Sequence, residues 1–161
     1  MTSVRGRIGL AVAAVLLLGC LVVIAWGQIW LHDQRADDSR KADALAAAKH
    51  GATMILSYDY RRLAEGSRQT EKLLTGNALS QYRGVQAPLA QAAPGLHAVV
   101  TADVKTATIL SVGTDSARAL LFVDQTSSST KLAQPQLDQS RVVVALTRRH
   151  GVWLVSSISA V

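Results

Sequence analysis

The sequence predicts an α+β protein: a single N-terminal transmembrane helix, then three helices packed on a curved antiparallel sheet of about four strands. Three observations predict it. No charged residue occurs from Ile8 to Leu31. The next stretch is rich in Ala and Leu at helical spacing, and after Leu96 the chain turns to Val, Thr, Ile and Ser with polar breaks. Helices first and strands afterwards, joined by hairpin-length links, imply an antiparallel sheet with the helices on one face.

The apolar run comes first in the chain. At ~1.5 Å per residue, its roughly 24 residues reach ~36 Å, enough to cross a ~30 Å hydrocarbon core with some tilt. Trp26 and Trp30 stand at its C-terminal end, where an aromatic belt belongs, and Arg5 and Arg7 precede it. The positive-inside rule makes residues 1–7 cytoplasmic, 8–31 the membrane span, 32–44 a polar stalk continuous with the first helix, and 45–161 an external domain. A cleaved signal peptide would have a shorter apolar region and a small-residue cleavage site. Leu17-Leu18-Gly19-Cys20 has the outline of a lipobox, so a lipid-modified Cys20 stands as the alternative to an uncleaved anchor. The bulky Leu18 and the apolar residues after Cys20 favour the anchor. Gly9 and Ala13 have the small-xxx-small spacing of helix–helix contacts, a pattern common by chance.

About 130 residues remain, enough for one compact domain. Asp33 to Arg62 reads as one long helix, with Leu45, Ala48, Ala52, Ile55 and Leu56 on its apolar face and Gly51 as its weak point. A second, short helix spans Ser67 to Leu74 and stops at Thr75-Gly76. Asn77 caps a third that runs to about Val85 or beyond, with Pro88 and Ala93-Pro94-Gly95 closing the helical half. Strands follow over His97 to Val112, Ala117 to Gln125, Ser140 to Arg149 and Val152 to Val161. Arg149-His150-Gly151 is a tight hairpin signal, and Thr126 to Asp138, with its serines and Pro135, reads as a long loop.

The net charge of +6 is spread along the chain, with doublets only at Arg61-Arg62 and Arg148-Arg149. Nucleic-acid binding would want a basic stripe with interleaved aromatics, and aromatics make up 4% of the chain. The single cysteine leaves no intramolecular disulfide and no Cys-based zinc site. A glycine-rich phosphate loop, a paired-histidine metal motif and a Gly-x-Ser-x-Gly elbow are all missing, so no catalytic, cofactor-binding or metal residue is assigned and no cofactor is expected. His32, His50, His97 and His150 are far apart in sequence. Tyr58, His97 and Asp103 are the candidate cavity-lining residues, with Asp59 and Tyr60 beside the first. A Tyr and an Asp lining a concavity are able to do acid–base work if burial raises the Asp pKa. Plain structural roles compete: Tyr58 packing helix on sheet, Asp59 on the exposed face with Arg61 or Arg62, Asp103 pairing beside Lys105.

The Ala-rich helix running into Leu56-Ser57-Tyr58-Asp59-Tyr60, the stretch Leu73-Leu74-Thr75-Gly76 before Tyr82, and the ending Arg141-Val142-Val143-Val144-Ala145-Leu146-Thr147-Arg148 followed by Gly151-Val152-Trp153-Leu154-Val155 form a combined pattern. This pattern, over nearly the whole chain, resembles the Mce-associated membrane proteins of mycobacteria and related actinobacteria. The resemblance implies a domain like nuclear transport factor two, a cone-like fold shared with ketosteroid isomerase. It also implies a non-enzymatic accessory role supporting Mce complexes, which import lipids or sterols through the cell envelope. The implied partners are the membrane and Mce-complex proteins or a transporter permease, with no nucleic acid. An external small-molecule-binding or enzymatic domain using the cone's cavity is the alternative function, and a subunit of a secretion machine is a third.

Overall fold

The computed structural model describes residues 37–161, and 40–161 form one compact unit. The expected membrane span, and with it Cys20, lies outside the described residues. Among those described, no helix is long and apolar enough to cross a membrane.

Helix α1 covers residues 37–56. Its buried stripe is Ala44, Ala48, Gly51 and Ala52, a run of small side chains at helical spacing. Gly51 is therefore more than a weak point. A Cβ built there would stand 2.5 Å from Val155 Cγ2, so its hydrogen lets the helix meet the last strand at close range. The helix does not continue to Arg62, as the sequence led us to expect. It ends at Leu56, and Tyr58–Asp59 form a short strand, β1, that pairs antiparallel with Val100 and Val99. A two-residue strand has no periodicity of its own and is held by its partner. One 3₁₀ turn, Tyr60–Arg62, follows, and the Asp59 carboxylate accepts the Arg61 N–H at its start (2.9 Å).

Helix α2 covers Leu63–Glu71, earlier than the expected Ser67 to Leu74. Helix α3 covers Gly76–Leu96 and carries Pro88 and Pro94 inside it. Thr75, not Asn77, is its N-terminal flank, without a side-chain cap, and Gly76 takes a positive φ of 53°. The prolines do not stop the helix. The carbonyls they leave without a donor belong to Gly84 and Ala90, at exposed positions where water substitutes. The stop comes at His97, whose left-handed backbone (φ 46°) sends its N–H to Pro94 while the Ala98 N–H reaches the Ala93 carbonyl at 3.0 Å. This is the Schellman arrangement, with histidine where glycine is usual.

Strands β2 (Val99–Val112), β3 (Ser116–Ser128), β4 (Gln136–Arg149) and β5 (Val152–Ala160) complete a five-stranded antiparallel sheet in the order β1-β2-β3-β4-β5. The sheet thus has one strand more than expected. Both ends of the expected Thr126–Asp138 loop are strand, paired up to Ser127↔Gln136. The short remaining loop is tied back to α3, where the Thr130 N–H meets the Leu96 carbonyl at 2.8 Å. His150 and Gly151, both at positive φ, make the predicted tight turn between β4 and β5. Bulges at Val104/Thr106, Ile109/Ser111 and Ala145/Leu146 curve the sheet.

One face of the sheet carries the core: Ala119, Leu121, Val123, Val144, Leu146 and Val155 are buried against the helices. Trp153 joins this cluster at 7% exposure. Its indole N–H is buried without an acceptor among the described residues, and the Arg148 guanidinium stands 5.8 Å from its ring centroid. Beyond β5, the link between α2 and α3 acts as a further edge. Val155 and Leu73 exchange a 2.9 Å bond, and the Thr75 N–H reaches the Val155 carbonyl at 2.8 Å.

Candidate functional site

A cleft of about 730 Å³ opens where α1 ends. Met54, Ile55 and Leu56 bring the end of α1 to it, and Tyr58 of β1 follows. Helix α3 supplies one face, with Ala78, Tyr82, Val85, Leu89 and Ala92 at spacings of three and four. Leu63 of α2, and Val100, Gln125 and Ile158 of the sheet, complete the walls. The lining is mostly apolar, and its volume falls in the ~300–1,000 Å³ range of small-molecule sites.

Several polar groups of this cleft already hold hydrogen bonds within the protein. The Thr70 hydroxyl, buried at 1% exposure, donates to the Gly66 carbonyl (2.9 Å), with the Met54 carbonyl 3.3 Å away. Ser67 donates to Gln86 Oε1, linking α2 to α3. The Gln125 amide donates to the Leu56 carbonyl (3.1 Å), tying the sheet to the end of α1. Ser57, next in the chain, accepts the Ala102 N–H at 2.9 Å.

The mouth carries charge. Arg61 grips Asp59 with two nitrogens, at 2.7 Å to Oδ2 and 2.9 Å to Oδ1. That hydrogen bonding holds the Asp59 pKa at about 2, below the ordinary 3.8. Arg62, which flanks the start of α2, has no hydrogen bond or ion pair among the described residues and lines the mouth. Asp138 of β4 also lines the cleft.

Of the three residues proposed from sequence, Tyr58 lines the cleft and His97 and Asp103 do not. His97 ends α3 and stacks on Tyr60, with ring centroids 5.0 Å apart. Asp103 is exposed and bonds Lys105 at 2.6 Å, while Lys105 also stands 3.9 Å from Asp124, the residue opposite Asp103 in register. These two carboxylates raise the Lys105 pKa, the Asp103 bond most. Sequence reading passed over Arg62, Tyr82, Val85 and Leu89. The three-and-four spacing of Ala78, Tyr82, Val85, Leu89 and Ala92 was the available signal, hidden by ending the helix near Val85. Among the described residues, no group of three His, Cys, Asp or Glu gathers to hold a metal.

The architecture matches that of several solved structures. An IcmL-like type IV secretion system protein from Legionella pneumophila aligns with a TM-score of 0.63 over 75% of this chain and 91% of that one, at 13% identity. The periplasmic domain of DotI aligns at 0.61 over 73% and 91%, with 17% identity. The VirB8 protein of Agrobacterium tumefaciens aligns at 0.60 over 76% and 92%, with 11% identity. At such identities the likeness is one of fold. No protein-family model matches the chain. In sequence it is 30% identical over 164 residues to the uncharacterized protein Rv1362c of Mycobacterium tuberculosis, covering 98% of this chain and 74% of that one. It is 34% identical over 125 residues to the outer membrane protein Rv1973 of the same species, covering 75% and 76%. With that identity and coverage, the chain belongs to the family of these Mycobacterium tuberculosis proteins.

Proposed function

We propose that the protein is a non-enzymatic, single-pass membrane protein, its N-terminus cytoplasmic and its α+β domain outside. In this reading it supports or stabilises an Mce-type lipid or sterol import complex in the cell envelope. The observation that carries the non-enzymatic part is the state of the cleft's polar groups. Asp59 is held ionised by Arg61, Thr70, Ser67 and Gln125 are already engaged in hydrogen bonds, and among the described residues no histidine lines the cleft. Acid–base catalysis needs a group poised near the working pH and within reach of a substrate. The assembly part is supported by the fold's likeness to proteins named as secretion-system components, by a relative named for the outer membrane, and by the motif pattern shared with Mce-associated proteins.

The test is a mild-detergent pull-down of the full chain from its native membrane. Recovery of Mce proteins or a transporter permease is the expected result. Secretion-machine subunits in their place would overturn the Mce assignment and keep the accessory role. Recovery of the protein alone, with a bound small molecule, would favour a second reading, a ligand-binding domain. That reading has its own support in the size and apolar lining of the cleft.

A further inference from the structure

We propose that the cleft holds an amphiphile with an anionic head, a carboxylate or phosphate, seated against Arg62 at the mouth and an apolar body laid along α3. This rests on the second reading above, that the cleft binds a small molecule, and adds the chemistry of the occupant.

The interior sets the body. Three of its polar side chains are already engaged: Thr70 with the Gly66 carbonyl, Ser67 with the Gln86 side chain and Gln125 with the Leu56 carbonyl. A polar ligand would have to break these bonds, whereas an apolar chain meets Met54, Leu63, Tyr82 and Leu89 without displacing any of them. Val85 stands at 57% exposure in the cleft wall, an apolar side chain left open to water that an occupant would cover.

The mouth sets the head. Asp59 and Arg61 are adjacent in the chain to Arg62 but cancel each other through a two-pronged bond, so the charge they leave on that wall is the Arg62 guanidinium. A guanidinium presents a planar fork of donors matched to the oxygens of a carboxylate or phosphate. Asp138, on β4, also lines the cleft and repels an anion on its own side. The arrangement favours an anion on the Arg62 side and leaves Asp138 toward water.

The experiment uses the full chain in lipid nanodiscs with a photoactivatable diazirine analogue of palmitic acid, mapping the labelled peptides and subtracting empty nanodiscs. We expect labelling within residues 54–70 and 78–92, suppressed by excess palmitate more than by hexadecanol or hexadecylamine. Arg62→Gln should weaken competition by palmitate about tenfold, as loss of a charge-assisted contact does, and leave competition by hexadecanol unchanged. Leu89→Trp, which fills the cleft, should abolish labelling while the thermal melt stays cooperative. Labelling confined to other peptides would overturn the cleft as a site altogether. Labelling in the cleft that ignores Arg62→Gln would leave the site standing and overturn the anionic head. Hexadecylamine as the better competitor would assign the head to Asp138 and overturn the proposal in the same way.

Discussion

Helix α1 meets the sheet in two different ways along its length. Through its middle Ala44, Ala48, Gly51 and Ala52 are buried, and the backbone comes so near β5 that no Cβ fits at Gly51. In its last turn Met54, Ile55 and Leu56 are larger, only half buried, and wall an open cleft. Small side chains bring two elements together and leave no void, whereas large ones facing a second layer of helices hold a space between them. The packed end, sealed by Trp153 and Val155, bears the stability, and the cleft end is left free to serve a partner or a ligand.

That division is open to attack by mutation. The largest expected effect is at the packed end: Trp153→Ala should cost about 3–5 kcal/mol in denaturant melts of the full chain. Trp153→Phe should cost much less, because the indole N–H it removes has no acceptor to lose. A Trp153→Ala protein that melts with the wild type would erase the distinction between the two ends. Gly51→Ala comes next. Helix propensity alone favours alanine by about 1 kcal/mol, but Val155 is β-branched and buried and cannot step aside, so a net loss of about 1–3 kcal/mol is expected. In a Val155→Ala background the same change should become neutral or stabilising, and a penalty that persists there would deny the close approach. Leu89→Ala, in the half-buried wall of the cleft, should cost less than about 1.5 kcal/mol, since it removes a side chain that already faces open space. A loss as large as that of Trp153→Ala would mean the cleft is core after all.

The smallest effect concerns the mouth. The folded pKa of Asp59 lies below its ordinary value, so the Arg61 pair adds stability above pH 3.8, and that contribution fades as the pH falls toward about 2. Proton titration by NMR should find Asp59 near 2 in the wild type and raised toward, but still below, its ordinary value in Arg61→Gln, because the backbone N–H bond and the Arg62 charge remain. Melts at neutral pH should differ little, as exposed pairs are well screened.

The change from helix to strand after Leu96 and the hairpin at His150-Gly151 were legible because each has a local cause, β-branched composition or a turn needing positive φ. Trp153 was legible as a core residue from its place next to that turn. Strand β1 was not, because Tyr58-Asp59 is extended only through bonds to Val99 and Val100, some 40 positions away. Helix α3 was cut short in the reading because proline usually breaks a helix, and only its exposed Gly84 and Ala90 carbonyls explain why these two do not. The same error hid the face of α3 that walls the cleft. Tyr58 was found and Arg62 missed for a related reason: an arginine doublet reads as solvated surface until Asp59 is seen to occupy one member and leave the other free.

Val155 touches Gly51 of α1 and bonds Leu73 and Thr75 between α2 and α3. During synthesis the three helices leave the ribosome long before β5, the strand that carries their shared contact. Until Val152–Ala160 has emerged, the helical half lacks the Val155 contacts that join α1 to the α2–α3 link. The waiting interval is thus written into the chain order, and a chain truncated before Val152 should keep its hairpins while its helices dock only loosely.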